Sequence, residues 1–173
     1  AIGRQSMYSG NATQAGTVAI GKSALTALTS GASNVAIGYQ SQNATTTGAY
    51  NTSVGYDSML LLGHDDNDGN VAFGYNTMKS SGTASNNSAS HNTAIGSDAL
   101  AQITTGIENV CLGSSAGYAL TTANKCIFIG RQAGDAVTTT GGSNVSDGTI
   151  AIGHSALTAL TSGAKNVAIG YQA

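Results

Sequence analysis

The sequence predicts an all-β parallel solenoid, or β-roll, of about ten short rungs, and three observations carry that prediction. A small–aliphatic–Gly tripeptide recurs along the whole chain, with its glycine at Gly3, Gly21, Gly38, Gly55, Gly74, Gly96, Gly113, Gly130, Gly153 and Gly170. Most neighbouring glycines in this series are separated by one constant interval, as from Gly21 to Gly38 and from Gly38 to Gly55. That interval is the ground period, and the longer ones, such as Gly74 to Gly96, carry insertions. The 173 residues also include 24 Gly, no Pro, no Trp and only 8% charged side chains. Large apolar residues are too sparse for a thick globular core, but stacked rungs need only a few each. A chain without Pro can also form an unbroken ladder of backbone donors.

The first element of each unit is a strand. A β-branched residue stands three before the glycine (Val18, Val35, Thr52, Val71, Thr93, Val110, Ile127, Ile150, Val167), a small one two before, and usually an aliphatic one just before. Alternation over a β-branched run, bounded by Asn and Gly, reads as a short strand. It also separates two faces. The bulkier face is expected to be the interior, giving a core of Val35, Ile37, Val110, Leu112, Ile127, Ile129, Val167 and Ile169. The Ala face is expected to point outward, where it would suit close approach of a second layer or chain. The Asn that opens most strands (Asn34, Asn51, Asn70, Asn92, Asn109, Asn166) has two readings: a side-chain ladder along the rungs, or a turn residue tolerating left-handed backbone.

The next element follows the glycine. A small residue at +3 and apolar residues at +4 and +7, as in Ala24, Leu25 and Leu28, fit either a helical turn or two closed by Gly31, or a second bent strand. With a rung spacing of about 4.8 Å, ten rungs make a rod roughly 45–50 Å long. A longer repeat overlies the short one: the segment 17–41 matches 149–173, seven rungs on, at all but four positions. The whole of 1–173 therefore reads as a single repeat array, a window on a longer one.

These features exclude several functions. No apolar run approaches the roughly 20 residues of a membrane helix, so no membrane insertion is expected. Six Lys and Arg scattered singly, with a pI near 5.8, argue against nucleic-acid binding. No nucleophile-elbow or cofactor pattern is present, so neither an enzyme nor a cofactor is expected.

The phrases Asn34-Val35-Ala36-Ile37-Gly38-Tyr39-Gln40 and Asn92-Thr93-Ala94-Ile95-Gly96-Ser97-Asp98-Ala99-Leu100 resemble two families of repeats. One is the repeat region of bacteriophage tail fibres. The other is the head repeat of trimeric autotransporter adhesins, whose coils are shorter than the period seen here. The resemblance implies a homotrimeric fibre in a virion or on a cell surface. The expected function is then a structural shaft or spacer of a phage tail fibre, with surface loops for host contact. The alternatives are a bacterial adhesin head or stalk binding a receptor or glycan, and a self-assembling extracellular filament.

Four further features are candidate sites. The insertions at 64–69, 80–91 and 138–148 fall on one edge of the coil, where solenoids commonly carry binding loops and where loops also accept surface slack cheaply. Within the first, His64, Asp66 and Asp68 partly match a calcium loop, although Tyr75 stands where the bidentate Glu should be, and a solvated polar turn is the favoured reading. Cys111 and Cys126, one rung up and two positions along, are too distant for a disulfide and are expected as buried thiols. Tyr39, Tyr56, Tyr75 and Tyr171 each follow a repeat glycine and would form an aromatic stripe able to contact sugars, or simply pack over the turn.

Overall fold

The computed structural model describes residues 1–9, 15–137, 146–160 and 163–173. It contains nine three-residue strands: β1 (Val18–Ile20), β2 (Val35–Ile37), β3 (Thr52–Val54), β4 (Val71–Phe73), β5 (Thr93–Ile95), β6 (Val110–Leu112), β7 (Ile127–Ile129), β8 (Ile150–Ile152) and β9 (Val167–Ile169). They form one sheet in sequence order, β1 to β9. Every pairing is parallel and places repeat position on repeat position: Val35 opposite Thr52, Ile37 opposite Val54. Even across the long interval from Gly74 to Gly96 the register holds, with Val71 opposite Thr93. Ile2 extends the stack by a parallel bridge to Ile20. The fold is a β-solenoid with one rung per repeat.

The two faces of the strands are the reverse of the sequence expectation. Ala19, Ala36, Ala72, Ala94, Cys111, Phe128 and Ala151 are fully buried. Val35, Ile37, Val110, Leu112, Ile127 and Ile129 face outward and are only half-buried, flanked by the rungs above and below. Val167 and Ile169 on the last strand are 66% and 68% exposed. The reason is steric. The post-glycine half of each rung fills the coil with Ala24, Leu25 and Leu28, with Met59 and Leu62, or with Leu100 and Ile103, all fully buried. The strand wall opposite has room only for small side chains.

Exceptions to that rule come in compensating sets. Phe128 takes the place of Ala in β7, and position +4 is then Gly in the two nearest rungs. A Cβ on Gly134 would lie 2.8 Å from the Phe128 ring, and one on Gly117 would lie 3.0 Å from it. In β3 the inward residue is Ser53, and the adjoining +4 position carries Gln42 instead of Leu or Met. Gln42 Nε2 donates to Ser53 Oγ at 2.9 Å and to the Val35 carbonyl at 3.0 Å.

The post-glycine half is neither helix nor second strand. It is a run of turns in which the residues at +2 and +4 have positive φ: Ser23 and Leu25 at 59° and 51°, Asp98 and Leu100 at 57° and 50°. Backbone bonds from residue +3 back to the glycine close the first turn, as Ala24 N–H to the Gly21 carbonyl at 3.4 Å. Positive φ at the third residue of such a turn is the type II requirement. Rung-to-rung bonds continue through the same run: Gln40 N–H donates to the Lys22 carbonyl at 3.0 Å, and Gln42 N–H to the Ser58 carbonyl at 3.0 Å. The backbone ladder thus continues beyond the strands into the turns. The repeat glycine is required by close approach as well as by dihedral. At Gly113 (φ 134°), a Cβ would lie 2.6 Å from the Gly130 carbonyl oxygen of the next rung.

The Asn column is a ladder. Asn34, Asn51, Asn70, Asn92 and Asn109 are fully buried. Each Oδ1 accepts the backbone N–H of the next rung's counterpart, at 3.0, 2.9, 3.1, 2.9 and finally 2.9 Å to Cys126 N. Each Nδ2 donates to a backbone carbonyl, such as Asn92 to Gly106 at 2.9 Å and Asn109 to Ala123 at 2.9 Å. The run of Asn stops at Cys126, after which the column holds Thr149.

Candidate functional site

Three surfaces of the rod carry chemistry. The first is the outward face of the sheet. Its two columns, the first and third residue of every strand, are apolar except for Thr52 and Thr93. Val18, Ile20, Phe73 and Ile95 are 41%, 37%, 39% and 45% exposed. No charged residue interrupts the strip over nine strands, and no other segment of the described chain covers it. The predicted Ala face, by contrast, lies inside the coil and is closed to a second chain.

The second surface is the column immediately after the repeat glycines, where the structure brings three of the four predicted tyrosines together, Tyr171 standing apart. Tyr39 and Tyr56 stack with ring centroids 4.9 Å apart and an interplanar angle of 15°. Tyr56 and Tyr75 stack at 5.5 Å and 20°. Lys22 Nζ sits 5.4 Å from the Tyr39 centroid, capping one end. Higher up, Arg131 donates to His154 Nε2 at 3.1 Å, and the His154 ring stacks on Tyr171 at 5.3 Å. The parallel register forces this stacking, because it sets identical repeat positions one rung apart. The Asp57 carboxylate, first among several influences, raises the Tyr56 phenol pKa. The basic members of the column were missed in the sequence. They become visible when residues are sorted by repeat position: Arg4, Lys22, three Tyr, Ser97, Ser114, Arg131, His154, Tyr171.

The third surface is the insertion edge. The segments at 64–69 and 80–91 are built onto each other. Gly63 N–H donates to the Ala84 carbonyl at 3.2 Å, His64 N–H to the Asn87 carbonyl at 3.3 Å, and His91 N–H to the Asp68 carbonyl at 2.9 Å. Residues Ala84–Asn86 form a short 3₁₀ turn. The insertion at 138–148 lies largely outside the described residues. The calcium set is not assembled. His64 Nδ1 is 3.7 Å from Asp66 Oδ2, but Asp68 Oδ1 accepts the Ala49 backbone N–H at 2.6 Å. The neighbouring Asp65 accepts from Thr47 Oγ1 at 2.8 Å. Asp65 and Asp68 thus tie the loop to the rung below instead of converging on a cation. Among the described residues no group of three or more His, Cys, Asp or Glu side chains could hold a metal ion.

Cys111 and Cys126 are free and buried. Burial pushes the Cys111 thiol well up, and pushes Cys126 up to about 11. A cavity of about 460 Å³ opens at the last coil beside Leu157, Leu160 and Ala173. Among the described residues no helix is long and apolar enough to cross a membrane. No protein-family model, curated protein or solved structure matches the chain.

Proposed function

We propose that this chain is a shaft segment of a bacteriophage tail fibre, a non-catalytic homotrimeric rod whose coils associate through the outward Val/Ile face. One observation carries the reading: an apolar strip that no other described segment covers, half-buried to exposed, runs along all nine strands. Contiguous exposed apolar surface of that extent marks an association surface. Three such strips facing a common axis would bury one another, and the largely β-branched columns suit interdigitation between packed sheet faces. The repeat wording supports the tail-fibre assignment and the threefold count. The insertions at 64–69 and 80–91, hydrogen-bonded to each other on one edge, favour a second reading, a surface adhesin whose loops contact a receptor or glycan.

Sedimentation equilibrium is the direct test. The expected mass is three times that of the 17.0 kDa chain. Ile129→Lys with Ile152→Lys should convert the trimer to folded monomer, because these side chains lie outside their own coil. A wild-type chain that sediments as a monomer at high micromolar concentration would refute the proposal.

A further inference from the structure

We propose that the gap in the post-glycine column between Tyr75 and Arg131 is a carbohydrate-binding notch. Its ligand would be a pyranose whose ring faces carry only axial C–H bonds, as in a β-linked glucan. Within the stack, Tyr56 has a ring on each side, Tyr39 at 4.9 Å and Tyr75 at 5.5 Å, so a sugar cannot lie on its face. Tyr75 is different. It stacks on Tyr56 from one side only, and the next two positions in its column are Ser97 and Ser114, both exposed. Among the described residues no second ring stacks on Tyr75, and the residue is 53% exposed against 47% for Tyr56. The notch runs three rungs to Arg131, about 14 Å, enough for more than one sugar ring.

Polar groups stand at both ends. Ser97 Oγ donates to Asp98 Oδ2 at 3.0 Å, and Asn76 Nδ2 donates to Asp98 Oδ1 at 3.2 Å. This orients a carboxylate that retains free lone pairs, on the residue whose backbone N–H donates to the Tyr75 carbonyl at 2.9 Å. At the far end the Arg131 guanidinium uses one N–H₂ group on His154 and retains other donors. An apolar ring face, a hydroxyl-accepting carboxylate, two serine hydroxyls and a guanidinium match a sugar's C–H face and its ring of hydroxyls. A polyanion would meet one cation and one opposing acid, which disfavours it.

Beyond the notch the column repeats: Arg131, His154 and Tyr171 occupy the column positions of Arg4, Lys22 and Tyr39 seven rungs on. Each notch is complete within one chain, so a negative sugar result and a negative oligomer result are separable.

Saturation-transfer NMR on the whole chain with cellotriose tests the site. The expected result is transfer to the axial ring protons of the sugar, with binding about tenfold weaker in Tyr75→Ala. Ser97→Tyr should extend the ring stack into the notch, leave the fold intact by circular dichroism and abolish transfer. Tyr118→Ala, at an exposed tyrosine elsewhere, should change nothing. Absence of transfer to cellotriose, transfer that survives Ser97→Tyr, or transfer to tyrosinamide alone would each overturn the assignment.

Discussion

At residue scale the interior works by exchange of volume between two walls. Phe128 fits only because Gly117 and Gly134 leave it space. Phe128→Ala should therefore destabilise the coil by about 3–5 kcal/mol, and Gly134→Leu alone should also destabilise it, by overpacking against the ring. The double variant restores the Ala-plus-Leu arrangement of β5 and Leu100, so chemical denaturation should show it recovering much of the loss. Simple additivity of the two single effects would disprove the exchange. The thiols supply a pH test. Both are raised above their ordinary value of 9.0, Cys126 to about 11, chiefly by burial. The unfolded chain then ionises first, so stability is fully present below about pH 9 and falls as pH rises toward 11. Iodoacetamide at pH 8 should leave both thiols unmodified until denaturant is added; rapid labelling of the native chain would contradict their burial.

At the scale of elements the strand and the turn run contribute in different ways. A three-residue strand is too short to persist alone, and each is held by its neighbours along the ladder. The Asn ladder adds a buried side-chain column to the backbone one. Asn92→Ala removes the acceptor for the Asn109 N–H and the donor to the Gly106 carbonyl. Leaving those groups unpaired should cost about 2–3 kcal/mol, read as a lower thermal midpoint. Where the ladder breaks, Cys126 Sγ points at the Ser146 carbonyl at 3.2 Å. Cys126→Asn should put a stronger donor there and raise stability by about 1 kcal/mol; a fall in the midpoint would show that the ladder cannot be extended. The turn run was only partly legible. Its i, i+3 apolar spacing is real, but it reports two consecutive turns and not a helix. Leu25, Met59, Met78 and Leu100 adopt φ between 49° and 55°, a conformation costing roughly 1–2 kcal/mol for such residues. Burial offsets that cost, and glycine at +4 announces the conformation in only two rungs, at Gly117 and Gly134.

At the scale of the whole molecule the chain is quasi-one-dimensional. Each rung contacts its neighbours, and columns of like residues run along the rod. One column is the Asn ladder, two form the apolar strip, and one is the cation, tyrosine and serine series. The proposed trimer axis lies along the strip. The Ile129→Lys, Ile152→Lys chain should therefore retain its circular dichroism while losing the trimer mass. Unfolding instead of dissociation would place those residues in a core within the coil, where the structure does not put them. The insertion edge differs in kind from these columns. It is anchored by Asn87, whose Nδ2 donates to the Leu61 carbonyl at 2.9 Å, and by Asp65 and Asp68. The sequence marked its place but not its order, because loop hydrogen bonds follow no period.

The sequence by itself determined the rung, its period, its parallel register and the seven-rung super-repeat. Those properties follow from local β-propensity and from repetition, and both are visible in one dimension. Only the tertiary structure decided which strand face is the core. Hydrophobicity points the bulky Val and Ile inward, but the width of the coil is set by what the opposite wall contributes. Leu, Met and Ile from the turn run already occupy that width, so Ala must face them and Val and Ile must face out. The same stacking decided that the Asn residues form a ladder, that Asp68 turns to the Ala49 N–H, and that three tyrosines form one stack.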